Sequence, residues 1–367
     1  MNVKKIKKYV PVWSIVLFAF AVISVPLHIA FLLSEDFSDF FNRYIAAGVR
    51  FVFAKLTGWF TLSLAETLIV CSPLILAFLI YLGVKTAKKD RISRIRMISA
   101  LLSIVTFFYS GFIFTFASSY RGSSLASKLE LERVKVSAVE LYESFKIVTN
   151  ELNALVDKVE YGEDDLSNIN YSYKELNKKL NKAYKKASEK YSFLQNMSSS
   201  VKPIMLSEPM TYTHISGVYT YFTGEANLNI NYPDFNHPYT MAHEMAHQRG
   251  VGPENEANFV AYLVCLESDD DYIRYSAYFN MYQYLADALY YADKELYYDV
   301  LDITSDSVIR ELIAYSKFFD KYRDNIAADV SDKVNNSYLQ SQGQVEGTRS
   351  YGLVVDLAVA YYKTQNK

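Results

Sequence analysis

The chain has 367 residues, of which 51% are hydrophobic and 21% are charged, and its formal net charge is −2. A chain so close to neutral has no electrostatic attraction for nucleic acid, so we predict no nucleic-acid partner. Its two cysteines, Cys71 and Cys265, are too few for a disulfide framework. The length suits one large domain or two ordinary ones.

Three apolar stretches, at about residues 10–33, 64–84 and 97–117, are long enough to cross a bilayer. The first is too long for a removed signal peptide and lacks a small-residue cleavage site, so it predicts an anchor. We therefore predict a membrane domain over residues 1–120, with the lipid bilayer as a partner. Its outer amphipathic loop, residues 34–63, is rich in aromatics. This loop fits either a helix on the membrane surface or a helix packed under the soluble domain.

Basic residues indicate the orientation of these stretches. Four lysines lie within residues 4–8, and residues 85–96, between the second and third stretches, hold three lysines and three arginines. Cytoplasmic segments are enriched in Lys and Arg, so both segments are predicted to be cytoplasmic. Three crossings from a cytoplasmic N-terminus then predict an extracytoplasmic domain over residues 121–367, in a multi-pass protein of the cell membrane.

The most informative motif is His243-Glu244-Met245-Ala246-His247, which has the form H-E-x-x-H. A helix turns by about 100° per residue, so the two histidines lie one above the other on the same face. Two imidazoles spaced in this way can bind one Zn²⁺ ion, with Glu244 beside them as the general base for the metal-bound water. The motif predicts a zinc-dependent metallopeptidase acting on a peptide or protein substrate.

A third protein ligand is expected from the next predicted helix, which begins with Glu254 and Glu256. These two carboxylates lie about 200° apart around a helix and cannot both face one ion. The small residues Ala257 and Ala261 share a face with Glu254 and indicate close packing there. We therefore predict Glu254 as the third ligand, with Glu256 as the alternative, and Asn258 as a hydrogen-bond partner of a ligand.

The rest of the soluble domain is predicted to be mainly helical. Residues 212–232 alternate and carry glycines at expected turns, which predicts two or three short strands. In zinc peptidases such a sheet lies beside the active-site helix, and its edge strand can pair with an extended peptide. The helix at 166–194 is lysine-rich, which fits a solvated face or attraction to anionic lipid or cell-wall polymer. Helices are predicted at residues 124–159, 166–194, 270–294, 305–321 and 326–340, with one more in the tail.

Longer motifs resemble a bacterial membrane family known as "domain of unknown function 3810". The similar segments are His243-Glu-Met-Ala-His-Gln-Arg-Gly250, Glu254-Asn-Glu-Ala-Asn-Phe259, Phe222-Thr-Gly-Glu-Ala-Asn227, residues 118–122 and residues 338–362. The resemblance covers nearly the whole chain. It implies three membrane helices followed by a helical, zincin-like α+β domain. It also implies a gluzincin-type site in which His243, His247 and Glu254 bind the metal and Asn258 supports them.

The sequence alone does not assign the oxyanion donor, the role of Glu225 or a single function. The oxyanion formed during hydrolysis needs a hydrogen-bond donor, and the sequence does not choose among Tyr219, Tyr239, His214, His237 and Tyr351. Glu225 also has no assigned role, and the oligomeric state is unknown. Two other functions fit the motif. One is a non-catalytic binding or scaffold module in which the metal only holds helices together. The other is a zinc amidase acting on cell-wall peptides.

Overall fold

The computed structural model describes residues 3–132, 136–347 and 353–365. Contacts between residues divide the chain into two compact units. The first unit comprises Met1–Gly122 and the short segment Thr220–Glu225, and the second comprises Ser123–Tyr219 and Ala226–Lys367. The described residues are mainly helical, as predicted, with a few very short strands.

Three helices of the first unit, Val12–Leu33, Leu64–Ala87 and Arg91–Thr115, are long and apolar enough to cross a membrane. The predicted spans are thus confirmed as helices. The third begins at Arg91 rather than at residue 97, because Asp90 caps it by accepting hydrogen bonds from the backbone N–H groups of Ile92 and Ser93. In chain order the helices are α1 (Val3–Tyr9), α2 (Val12–Leu33), α3 (Glu35–Phe40), α4 (Ala47–Thr57), α5 (Leu64–Ala87) and α6 (Arg91–Thr115).

Residues 34–57 of the predicted outer loop form helix α3, a π-helical segment (Phe41–Ala46) and helix α4. The inner face of this segment is buried. Arg50 is 1% exposed and donates hydrogen bonds to the carbonyl of Thr115 at 2.7 Å and to that of Asn42 at 3.1 Å. The outer face exposes aromatic residues such as Tyr44 and Phe51. The segment is therefore amphipathic, and its position along a membrane surface stays a prediction.

Segment Thr220–Glu225 packs on α4 and α5 within the first unit. The buried carboxylate of Glu225 accepts hydrogen bonds from the backbone N–H groups of Leu64 at 3.1 Å and Ala65 at 2.9 Å. Negative charge at a helix N-terminus is stabilising. Gly224 has a φ of +69°, and a Cβ atom there would lie 2.6 Å from that of Phe53. The sequence alone assigned no role to Glu225. In the structure it caps the N-terminus of α5, which is predicted to span the membrane.

Among the described residues, the second unit contains eleven α-helices, and the five short strands lie mainly within it. The first three helices are α7 (Leu125–Lys128), α8 (Ala138–Asn153) and α9 (Tyr173–Lys190). They are followed by α10 (Ser207–Thr211), α11 (Asn236–Gln248), α12 (Glu254–Leu266) and α13 (Asp271–Ala292). The last four are α14 (Lys294–Ile303), α15 (Asp306–Asp320), α16 (Ile326–Ser341) and α17 (Val354–Gln365). The strands are β1 (Glu160–Tyr161), β2 (Ser167–Asn168), β3 (Lys202–Pro203), β4 (Gly217–Thr220) and β5 (Glu225–Leu228).

The strands form two small sheets. β1 and β2 make an antiparallel pair. The other sheet has the order β3-β5-β4, in which β3 and β5 run parallel with Lys202 opposite Asn227. β4 therefore lies at an edge of its sheet. The prediction of short strands within residues 212–232 is confirmed.

Two predicted helices are wrong in extent. The helix predicted at 124–159 is interrupted after α7, where Glu130 has a φ of +55°, and α8 begins only after Ser137. Ser137 and Glu140 form a capping box, which marks a helix start. The helix predicted at 166–194 begins at Tyr173, because Ser167 and Asn168 belong to β2 instead.

Four of the seven lysines of α9 are paired with acidic residues of the same unit. Lys179 lies 2.7 Å from Asp270, and Lys190 lies 2.8 Å from Glu267. Asp269 accepts from both Lys182 and Lys186. Exposed pairs of this kind contribute little stability each, about 0–1 kcal/mol. Part of the basic face of α9 is therefore engaged by the chain itself.

Candidate metal centre

Helix α11 carries the H-E-x-x-H motif and lies in the interior of the second unit. All of its residues, from Asn236 to Gln248, are buried. Helices α12 and α13 pack against it. Apolar residues such as Met241 and Met245 contribute to the core, and Gly250, with a φ of +89°, ends the helix. The motif therefore lies on a buried helix rather than on a surface loop.

The structure brings His243, His247 and Glu254 together. The Nε2 atoms of the histidines are 3.0 Å apart, and Oε2 of Glu254 lies 3.2 Å from the first and 3.3 Å from the second. Bonds of about 2.0–2.1 Å to a tetrahedral Zn²⁺ place neighbouring ligand atoms roughly 3.3–3.4 Å apart. The observed separations lie close to this spacing, so the three buried side chains could hold a metal ion.

Hydrogen bonding prepares His247 to bind a cation. Its Nδ1 atom lies 2.7 Å from the carbonyl oxygen of Val251 and donates a hydrogen bond to it. The neutral imidazole then presents a lone pair at Nε2, towards Glu254. A carbonyl or carboxylate partner of this kind is typical of metal-binding histidines.

The charges in this group also favour a bound cation. Burial alone would lower the pKa of His247, but the carboxylate of Glu254 outweighs it and raises that pKa to about 9. Burial would raise the pKa of Glu254, but His247 and His243 hold it well below its usual range. Without a metal, protons must neutralise this carboxylate. A divalent cation can replace them because the same lone pairs face it.

Glu244 points beside the group rather than into it. The backbone N–H of Tyr219 in β4 donates a hydrogen bond to its carboxylate, and its Oε2 atom has no hydrogen-bond partner among the described residues. Burial raises the pKa of Glu244 to about 7, against the opposing charges of His243 and His247. The side chain therefore offers a free oxygen next to the candidate metal site.

A cavity of about 1060 Å³ opens onto the group. His243 and Glu244 line its wall together with Gly217 of β4, and α13, α15 and α16 form other parts of the lining. Gly217 lies very close to the motif helix, since a Cβ atom there would lie 2.7 Å from Oε1 of Glu244. The edge strand β4 thus runs past the free carboxylate, as the predicted sheet beside the motif helix requires.

The two acids of α12 have different environments. Glu254 joins the histidines, whereas Oε1 of Glu256 accepts a hydrogen bond from the backbone N–H of Leu125 at 2.8 Å. Asn258, one turn beyond Glu254, lines the cavity and donates a hydrogen bond to the hydroxyl of Tyr284 at 3.2 Å. The structure gives Glu256 a capping role at α7, and it does not show the predicted hydrogen bond from Asn258 to a ligand.

The candidate oxyanion donors are scattered. Tyr239 lines the cavity, but its hydroxyl donates to the carbonyl of Asn258 at 2.9 Å. His214 also lines it, with Nε2 lying 2.7 Å from the carbonyl oxygen of Tyr322. His237 is buried beside Asp234 and Tyr173. Tyr219 approaches Glu244 through its backbone, and Tyr351 lies outside the described residues.

The structural role of Arg249 was not apparent from the sequence. This residue follows the motif and holds its helix in place. Its guanidinium stacks 3.8 Å from the ring centroid of Tyr184 and donates to the hydroxyl of Ser199 and the carbonyls of Gln195, Met197 and Met245. The hydroxyl of Tyr184 donates to the carbonyl of Ala242 at 2.6 Å. A buried arginine needs such partners. The apolar surroundings of the motif were the only signal that Arg249 would be buried.

These features define a largely helical protein with three helices able to span a membrane and a buried His-His-Glu group able to hold a metal ion. Residues 37–359 match the family described as "Protein of unknown function (DUF3810)", and the chain belongs to this family, as its motifs predicted. Searches of curated proteins and of solved structures gave no match. The likeness to gluzincin-type metallopeptidases stays a prediction.

Proposed function

We propose that this protein is a membrane-anchored zinc metallopeptidase that hydrolyses peptide bonds at the extracytoplasmic face. One observation carries the proposal: the carboxylate of Glu244, whose Oε2 atom has no hydrogen-bond partner among the described residues, lies beside the His243, His247 and Glu254 group on the wall of a large cavity. Two histidines and one glutamate form the ligand set of several zinc peptidases. The basic segments on one side of the three apolar helices support the orientation.

The number of ligands favours catalysis over a structural metal. Among the described residues, the group contains His243, His247 and Glu254 and no fourth histidine, cysteine or carboxylate. Structural zinc sites are usually closed by four protein ligands, whereas catalytic sites keep one position open. A metal that only held helices together would also not require a general base such as Glu244 beside it.

Each group of the site has a separate role in the proposed hydrolysis. Zinc, when bound, supplies Lewis acidity that polarises a carbonyl and acidifies water. Glu244 takes a proton from the attacking water and delivers it to the leaving amine. Tyr219 orients Glu244 through its backbone N–H. As an edge strand beside Glu244, β4 can pair with an extended peptide, which places a scissile bond near this carboxylate.

The proposal is tested with the full-length protein, purified in detergent and loaded with zinc. It is incubated with an internally quenched peptide library and, separately, with muropeptides. Cleavage of peptides supports the peptidase function. Cleavage of muropeptides alone would indicate the cell-wall amidase instead, and bound zinc without turnover of either would indicate the scaffold module.

Gly217→Ala is expected to lower peptide hydrolysis at least about tenfold while leaving bound zinc unchanged. The added methyl group would meet Oε1 of Glu244 and Cγ2 of Thr240, each at 2.7 Å, so the carboxylate must move. Initial rates and zinc content are measured on the same preparation. Gly83→Ala is the control, since its Cβ atom would have nothing within 4 Å. Equal rates in both variants would contradict the tight placement of Glu244.

A further inference from the structure

The proposed hydrolysis also needs a group that the site has not yet supplied. The carbonyl oxygen becomes negative in the transition state, and a hydrogen-bond donor fixed near it lowers the barrier. Such a donor must face the same cavity as Glu244, must lie near the metal ligands, and must have a proton that no protein group already accepts. One side chain of the cavity wall, that of Tyr284, meets all three conditions.

Tyr284 on α13 meets the first two conditions. Its side chain lines the cavity together with His243, Glu244 and Asn258. Its hydroxyl lies 3.2 Å from the side-chain amide of Asn258, one turn of α12 beyond Glu254. Burial first and the charge of Glu254 second raise the pKa of Tyr284 to about 12. The phenol is therefore protonated at neutral pH and can donate.

The hydrogen bond to Asn258 meets the third condition. The side-chain amide of Asn258 donates to the hydroxyl oxygen of Tyr284 at 3.2 Å, so the phenol is the acceptor in this bond. A tyrosine hydroxyl has one proton of its own to give. Among the residues that the structure describes, no group accepts this proton. Asn258 thus holds the phenol in place from one side and leaves its proton for the cavity.

The other polar rings of the cavity are less suitable. The hydroxyl of Tyr239 already donates its hydrogen bond to the backbone carbonyl of Asn258. Nε2 of His214 is occupied by the carbonyl of Tyr322. Tyr315 lies on α15, and its hydroxyl interacts with the side chain of Asn236, which precedes His243 by about two turns of α11.

We propose that Tyr284 is a catalytic residue that donates a hydrogen bond to the scissile carbonyl oxygen as it becomes an oxyanion, with Asn258 as its positioning residue. This inference rests on the proposed peptidase function. It assigns to α12 a double role, because Glu254 at its start joins the metal group and Asn258, one turn later, holds the donor.

The test compares Tyr284→Phe with Tyr315→Phe, which removes the same hydroxyl from another part of the same cavity. Both full-length variants are loaded with zinc and assayed on the library peptide that the wild type cleaves best. We expect Tyr284→Phe to lower kcat by about 10²- to 10³-fold with KM nearly unchanged. Tyr315→Phe should stay within about threefold of the wild type, and both should bind zinc normally.

A binding measurement supplies a readout independent of turnover. The probes are the phosphinic analogue of that peptide, whose tetrahedral anion mimics the oxyanion, and acetohydroxamate, a small metal chelator. Tyr284→Phe should weaken phosphinate affinity by about 10- to 100-fold, as expected for a hydrogen bond to a charged group, without weakening hydroxamate binding. Tyr315→Phe should change neither affinity.

Three outcomes would overturn the proposal. One is a Tyr284→Phe variant with a kcat within about threefold of the wild type. Another is an equal loss in Tyr284→Phe and Tyr315→Phe, or a loss of zinc, which would indicate a structural role. The third is a zinc-loaded wild type that neither cleaves peptides nor binds a pooled phosphinic library. This result would contradict the peptidase function itself, and with it the role of Tyr284.

Discussion

Glu244→Gln is expected to lower kcat for peptide hydrolysis by about 10²- to 10⁴-fold while leaving zinc bound. The amide keeps the size of the side chain but cannot take a proton from water. Zinc should remain because Glu244 is not one of the three clustered ligands, whose donor atoms lie within 4.8 Å of one another. Hydrolysis of the best library peptide and zinc content per chain are measured together.

Glu267→Gln is the control for this prediction. It is the same substitution at the end of α12, where Glu267 pairs with Lys190. Its rate should stay near that of the wild type. A Glu244→Gln variant as active as the wild type on every cleaved peptide would show that another group moves the proton.

Glu254→Gln is expected to weaken zinc binding by more than about 100-fold, which exceeds the usual effect of a residue that only supports a ligand. The loss of charge removes the group that faces both Nε2 atoms, at 3.2 and 3.3 Å. Zinc affinity is measured by competition with a chromophoric chelator. Hydrolysis should fall in parallel, because the remaining chemistry depends on the bound ion.

Glu256→Gln is the matched control, because it is the same substitution two residues further along α12. Its carboxylate accepts the backbone N–H of Leu125 rather than facing the histidines. It should bind zinc like the wild type, with at most a small loss of thermal stability from the weaker cap. Equal zinc affinity in both variants would contradict the role of Glu254.

The sequence predicted which residues of the candidate site lie together, because its signals are local. Residues spaced by four share a helix face whatever the tertiary fold, so His243 and His247 were certain to be neighbours once α11 formed. The angle between Glu254 and Glu256 around one helix allowed only one to face the metal, and the small residues beside Glu254 indicated which. Hydropathy located the three apolar helices for the same reason, since length and composition are local properties.

What the sequence missed depends on contacts between distant segments. Tyr284 lies in a tyrosine-rich helix, and nothing in its neighbours marks it as the residue that Asn258 contacts. Glu225 reaches the N-terminus of α5 across about 160 residues of chain. The predicted helix at 124–159 was wrong because its apolar spacing outweighed the Ser137–Glu140 capping box, a short signal inside a long periodic stretch.

The central claim is that one divalent ion is held by His243, His247 and Glu254. The most direct measurement is zinc K-edge X-ray absorption on the full-length protein, combined with zinc content per chain. The account predicts one zinc per chain with two imidazoles in its coordination sphere and the remaining donors oxygen. A chain that binds no stoichiometric metal, or whose bound zinc has no imidazole neighbours, would contradict it.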